Sequence, residues 1–196
     1  MAAKKRIGRE EILAAATAVI RKNGASSLTM RRIAEQLGCS TQPLYSEFGG
    51  QEQLIEALTA YIRQRCLSAV CSSYRDFGRV FLRFAGEEKE LFRFLYLRHR
   101  KPEETALEDV NLERTIESLM RSLEMDRKQA EQMHRQMQYY CYGLGTMIAT
   151  GYRTMTQEEI DRELTDFFSL LLRHYKQAEG EASLSYWLER SRNQNL

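Results

Sequence analysis

This sequence predicts an all-α protein, with a small three-helix domain at the N-terminus followed by a larger helical bundle. Three observations carry that expectation. Only two prolines, Pro43 and Pro102, interrupt 196 residues. Long stretches are rich in Leu, Glu, Arg, Gln, Met and Ala, which are good helix formers. No segment alternates apolar and polar residues as a strand does. With 43% hydrophobic residues, the chain is long and apolar enough to bury a core in one or two domains, divided here as 1–50 and 51–196.

Residues 9–23 read as the first helix, because Ile12, Ala16, Val19 and Ile20 recur at helical spacing and Asn23-Gly24 supplies a stop. Thr29 can cap a second helix whose Ile33, Ala34 and Leu37 face inward and which Gly38 ends. Ser40 or Thr41 can cap a third that runs to about Glu47, with Pro43 tolerated in its first turn. Leu44 and Phe48, at i and i+4, pack that third helix onto the first. Two short helices joined by a glycine-containing turn describe a helix-turn-helix.

Charge is distributed to match. Within residues 1–50, Lys4, Lys5, Arg6, Arg9, Arg21, Lys22, Arg31 and Arg32 stand against Glu10, Glu11, Glu35 and Glu47, a net +4, while the remainder nets −2. A basic head on a slightly acidic body suits a protein that touches phosphate with one end.

The stretch LTMRRIAEQLGCSTQPLYSEFGGQEQL, from Leu28 to Leu54, resembles the TetR family of bacterial transcriptional regulators. Ile33-Ala34, Gly38, Ser40, Leu44-Tyr45, Phe48, Glu52 and Leu54 carry the resemblance. It covers the first 60 or so residues well, and the rest in helix order and length. Two positions depart from the family: Gln51 stands where a Lys commonly meets a phosphate, and Glu47 where His or Tyr is frequent. Each departure either weakens DNA affinity or, for Glu47, accepts a hydrogen bond from cytosine N4.

The residues themselves support DNA contact, since a short helix exposing small polar groups at its N-terminal end can enter the major groove. Ser40, Thr41, Gln42 and Ser46 are those groups. Gln42 can pair bidentately with adenine, Thr41 adds a methyl for thymine, and Tyr45 can place its phenol on a phosphate. Thr29, Arg31 and Arg32, with the Lys4-Lys5-Arg6 arm, supply sequence-independent phosphate contacts. Gln51 completes the candidate DNA-binding set by its family position.

A fourth helix from Gln51 carries Leu54, Leu58, Ile62, Cys66 and Ala69 along one stripe and links head to body. Phe77, Phe81 and Phe84 form the next stripe, and Leu91, Phe94 and Leu95 another. Lys101-Pro102 breaks the chain before a helix from about Glu103 to Leu123 with Leu112, Ile116, Leu119 and Met120. By the resemblance, this body encloses a pocket for a small apolar or amphipathic effector, with Tyr74, Phe77, Phe81, Phe84, Tyr96, Met120 and Tyr140 as candidate lining.

Two long helices follow, over 128–152 and 156–177, the second opened by a capping box of Thr156 and Glu159. Phe167, Phe168, Leu170, Leu171 and Leu172 nearly encircle it, so it buries one face on its own chain and one on a partner. Gly143 and Gly145 cost about 1 kcal/mol each relative to Ala inside a helix, which close helix approach explains. Gly143, Met147, Phe167, Leu170, Leu171 and His174 are the candidate interface of a homodimer, the four-helix arrangement that the resemblance implies. A dimer presents two recognition helices to the half-sites of a near-palindromic operator. Trp187 falls in a short terminal helix or tail.

Other classes fit poorly. Cys39, Cys66, Cys71 and Cys141 form no CxxC and imply neither a zinc site nor a disulfide framework, and no cofactor is expected. His99, His134 and His174 are scattered, and there is no P-loop, GxGxxG, HExxH or GxSxG, so no enzyme is expected. No run of about 18 apolar residues spans a bilayer and residues 1–10 lack the apolar centre of a signal peptide, which points to a cytoplasmic protein. The function expected is a regulator of transcription, a repressor released from its operator by an effector. The alternative is a TetR-like DNA-binding protein without a small-molecule effector, architectural or partner-controlled.

Overall fold

The computed structural model describes residues 7–68, 71, 73–99 and 111–192. The Lys4-Lys5-Arg6 arm, Ala69, Lys101-Pro102 and the helix start expected at Glu103 lie outside the described residues. Among those described there is no strand. The helices are α1 (Arg9–Asn23), α2 (Met30–Leu37), α3 (Gln42–Phe48), α4 (Gln51–Leu67), α5 (Tyr74–Glu87), α6 (Lys89–Tyr96), α7 (Leu112–Leu123), α8 (Arg127–Ala149), α9 (Gln157–Lys176) and α10 (Glu181–Arg192). One turn of 3-10 helix, Ala25–Ser27, connects α1 to α2.

These helices sort into two compact units. The first holds α1 to α3, α4 as far as Cys66, and α6; the second holds α5 and α7 to α10.

In the first unit, α1 opens with the Gly8 N–H donating to Glu11 at 2.9 Å. Acidic Glu10 and Glu11 occupy its first turn and basic Arg21 and Lys22 its last, which complements the helix dipole. Ile12, Ala16, Val19 and Ile20 are buried, as their spacing requires, together with Ile33, Leu54, Leu58 and Ile62 from α2 and α4. The apolar run from Phe77 to Leu97 is not one element. It breaks at Glu88, and α6 packs on α1 and the 3-10 turn, burying Leu91, Phe92, Phe94, Leu95 and Tyr96. Arg21 fixes the break by donating to both carboxylate oxygens of Glu88, at 2.8 and 2.6 Å.

In the second unit, α5 lies against α8 and α9, α7 against α8, and α10 against α7 and α9. Gly78 is what lets α5 come so close: a Cβ there would stand 2.9 Å from Leu164 and 3.6 Å from the Cys141 sulfur. Cys141 is buried, and that burial pushes its thiol up to about 12, so it is inert as a nucleophile. The Thr156 hydroxyl accepts from the Glu159 N–H while Glu159 accepts from the Thr156 N–H, the reciprocal capping box at the start of α9. Trp187 on α10 lies under Lys176, whose ammonium is 4.3 Å from the ring centroid. Arg190 ties α10 to the end of α7, donating to the Ser122 carbonyl at 3.0 Å and to Glu124 at 2.6 Å.

A half-buried ion cluster joins α5 to α9, in which Arg79 donates to Asp161 and to Asp76. Hydrogen bonding from Arg79 holds the Asp161 carboxyl below its ordinary value, against the opposing effect of burial. The stability this contributes is fully present above about pH 3.9 and is lost as the pH falls through the depressed native value. Urea unfolding between about pH 2 and 5 is therefore expected to show a shallower acid loss for Asp161→Asn than for the unaltered chain.

Candidate nucleic-acid interface

A helix of eight residues needs its ends satisfied, and α2 has both. The Thr29 hydroxyl accepts from the Arg32 N–H at 3.2 Å, and Gly38 closes the helix in the left-handed region at φ 65°. That conformation favours glycine, which has no Cβ to clash. The turn through Cys39 and Ser40 then delivers α3, with Pro43 in its first turn. Thr41 takes the N-cap position but makes no side-chain cap bond, so its hydroxyl is not committed there.

On α3 the inward residues are Leu44 and Phe48, 0% and 5% exposed. Ser40, Gln42, Tyr45 and Ser46 are exposed and Thr41 is half-buried, so the polar candidates share the outward side, with Tyr45 51% exposed. Thr29, Arg31 and Arg32 are exposed at the start of α2, where Arg31 pairs with Glu35 at 3.0 Å. Gln51 is exposed too, but its side-chain amide donates to the Leu28 carbonyl at 3.1 Å. That bond fastens the first turn of α4 to the entry of α2.

The first turn of α1 also bears on this surface. The Arg9 guanidinium lies 4.5 Å above the centre of the Phe48 ring and 3.7 Å from the Glu47 carboxylate. Next to it, Glu10 accepts from Arg65 of α4 at 3.3 Å. In the sequence Arg9 is one of eight basic residues of the head, and the one signal of a further role is its place at the start of a helix expected to meet α3.

The candidates in the body are placed as follows. Tyr96 lies in the first unit, its ring 4.9 Å from that of Phe92. Tyr74, Phe77, Phe81, Phe84, Met120 and Tyr140 lie in the second. Tyr74 and Phe84 are buried there; Phe77, Phe81 and Met120 are half-buried. The Tyr74 hydroxyl meets His134 Nδ1 at 3.1 Å, and its ring lies 5.4 Å from Phe168. His134 was readable as part of a buried stripe, since it keeps helical register with Ala130, Met137 and Cys141. Tyr140 stacks flat on Phe167 at 4.0 Å and donates to Glu163, which joins a pocket candidate to an interface candidate.

Of the dimer candidates, Gly143, Leu170 and His174 are exposed, Met147 and Phe167 half-buried and Leu171 buried. A Cβ on Gly143 would meet nothing within 4 Å, and Leu170 of α9 and Tyr139 of α8 are 62% and 59% exposed. Among the described residues no group of three or more His, Cys, Asp or Glu is placed to hold a metal ion.

A capped helix, a glycine turn and a short helix with its polar side outward, mounted on a third helix, make the head a DNA-binding helix-turn-helix domain. Residues 12–58 match the model of the family described as bacterial regulatory proteins, tetR family. Over these residues the chain is similar to the DNA-binding domain of the TetR family. The nucleoid occlusion factor SlmA of Vibrio cholerae is 36% identical over 72 residues, a match that spans 36% of this chain and 37% of that protein's own length. A TetR-like transcriptional regulator from Rhodococcus sp. RHA1 superposes with a TM-score of 0.59 at 18% identity, over 89% of this chain and 98% of the other. A TetR variant from Acinetobacter baumannii AYE in complex with minocycline gives 0.58 at 18% identity, over 89% and 99%. At that identity the two structures establish the fold, which extends through the body.

The Thr29 cap has a measurable weight. Replacing it by Ala removes the acceptor for the Arg32 N–H and is expected to lower stability by about 1 kcal/mol, with Thr29→Ser close to unaltered, in thermal unfolding followed by circular dichroism.

Proposed function

We propose that the chain is a homodimeric transcriptional repressor, bound to a near-palindromic operator and released when a small apolar or amphipathic effector enters the C-terminal body. The observation that carries this proposal is the outward side of α3, where Gln42, Tyr45 and Ser46 stand exposed beside Ser40 while Leu44 and Phe48 anchor the helix from behind. In that role Gln42 reads a base edge, Tyr45 and the start of α2 grip phosphates, and residues 1–50 form the DNA-binding part. Residues 51–196 then serve effector binding and dimerisation. The exposed Leu170 and the open space at Gly143 support an interface between copies along α8 and α9. The Acinetobacter relative of the same fold was solved with minocycline, which agrees with a body that takes a small molecule. Binding of effector and of DNA would be negatively coupled, and reciprocally so.

One finding favours a second reading. The Vibrio relative is named for nucleoid occlusion and not for a response to a small molecule. A DNA-binding protein with no effector, architectural or partner-controlled, accounts for the head equally well. A thermal-shift screen of aromatic and amphipathic compounds separates the two: the repressor reading expects a compound that raises the melting temperature and lowers DNA affinity, the second expects none.

The test of DNA binding is fluorescence anisotropy with duplexes from the chain's own upstream region, against a scrambled duplex, at several salt concentrations. Selective, salt-sensitive binding is expected. Gln42→Ala should cost about 1–3 kcal/mol and relax preference at one base pair, whereas Tyr45→Ala should weaken all sequences alike. Binding with no preference for any duplex, including those offered by genomic selection, would sink the proposal. For the dimer, sedimentation velocity should show Leu170→Glu shifted toward monomer, because it places a charge in a buried interface core; an unaltered dimer would locate the interface elsewhere.

A further inference from the structure

An acidic residue stands on the recognition helix of this head, and the helix alone does nothing to offset it. Glu47 is the second-to-last residue of α3, where the helix dipole is negative, and the last turn of α3 holds no basic residue. It follows Ser46 directly, on the helix that would lie against a polyanion carrying one charge per roughly 1.7 Å of axis. The offset comes from another helix. Arg9, the first residue of α1, brings its guanidinium 3.7 Å from the Glu47 carboxylate and 4.5 Å above the Phe48 ring centre. One planar cation thus touches two consecutive residues of α3, by charge on one and by its face on the other. The side chains of Arg9 and Glu47 keep 53% and 33% of their exposure, so the pair stands at the surface where an approaching phosphate would feel either charge.

We propose that Arg9 is a positioning residue of the DNA-binding surface, which seats the end of the recognition helix and neutralises Glu47 so that this carboxylate does not repel the DNA backbone. The proposal rests on the DNA-binding reading above. It departs from the simpler role of an N-terminal arginine, that of a direct phosphate ligand, and the two roles differ in measurable ways. A neutralising Arg9 matters only while Glu47 is charged. A phosphate-binding Arg9 matters whatever occupies position 47.

The experiment is a double-mutant cycle on the full chain, with the labelled duplex that the unaltered protein enriches from a random-sequence library. Arg9→Ala is expected to weaken binding about fivefold, the size an exposed charge pair supports. Arg9→Lys keeps the neutralising charge but loses the planar stacking on Phe48, and should fall between the unaltered chain and Arg9→Ala. Glu47→Gln should bind at least as tightly as the unaltered chain, and adding Arg9→Ala to it should cost less than about twofold. The slope of log affinity against log salt should change by less than the roughly one unit that a lost phosphate contact brings. A loss that persists undiminished in the Glu47→Gln background, with a slope lower by about one, would overturn the proposal and make Arg9 a phosphate ligand. Should Arg9→Ala unfold by circular dichroism, Glu47→Gln still decides: tenfold weaker binding by that variant would show that the carboxylate contacts DNA favourably, and the proposal fails. A library from which the unaltered chain enriches nothing removes the DNA-binding reading and this inference together.

Discussion

Seven residues are too few to hold a helix in water, because nucleation is costly and the chain ends before propagation can repay it. The recognition helix therefore exists only by virtue of what lies behind it. Leu44 and Phe48 are driven into the core of the head, and that burial sets both the presence of α3 and its orientation. Everything proposed for the outward side follows from this inward constraint. Ser40, Gln42, Tyr45 and Ser46 are outward because 44 and 48 are inward, and the 3.6-residue period leaves no other choice. The remaining contacts refine a placement already made: Thr29 caps α2, Gln51 fastens α4 to the entry of α2, and Arg9 covers Phe48.

What could be read from the sequence divides along the same line. The bounds of α1 were legible to the residue, because a stripe of Ile12, Ala16, Val19 and Ile20 and a glycine stop are both local signals. The Thr29 cap, the Gly38 turn and the Thr156–Glu159 box were legible for the same reason. Elsewhere the deciding interactions are distant in sequence. Gly86, two residues before Glu88, is only a weak local sign of the helix break; the partner that captures Glu88 is Arg21, 67 positions away. Hence the return of α6 to the first unit, and with it Tyr96, could not be seen. The bond from Gln51 is equally invisible locally, since the carbonyl it reaches lies 23 positions earlier.

The polar ties inside each unit differ in what they can contribute. Surface pairs such as Arg31–Glu35 are worth little, about 0.3–0.5 kcal/mol at helical spacing. The Arg79–Asp161 and Arg21–Glu88 forks are partly shielded and join elements far apart in the chain, so their value lies more in fixing register than in energy. Tyr74 and His134 carry that logic into the interior, where each satisfies a polar atom the other has buried.

Trp187 is the one tryptophan of the chain, seated on α10 under the ammonium of Lys176 and with the guanidinium of Arg190 5.5 Å from its ring. Cations against an indole face shift its emission, and Arg190 is in turn held by the carbonyl of Ser122 and by Glu124 at the end of α7. The protein therefore carries an intrinsic optical gauge wired to α7 and α10. Movement at that end of the second unit is expected to register in the emission of this one indole without any label being attached.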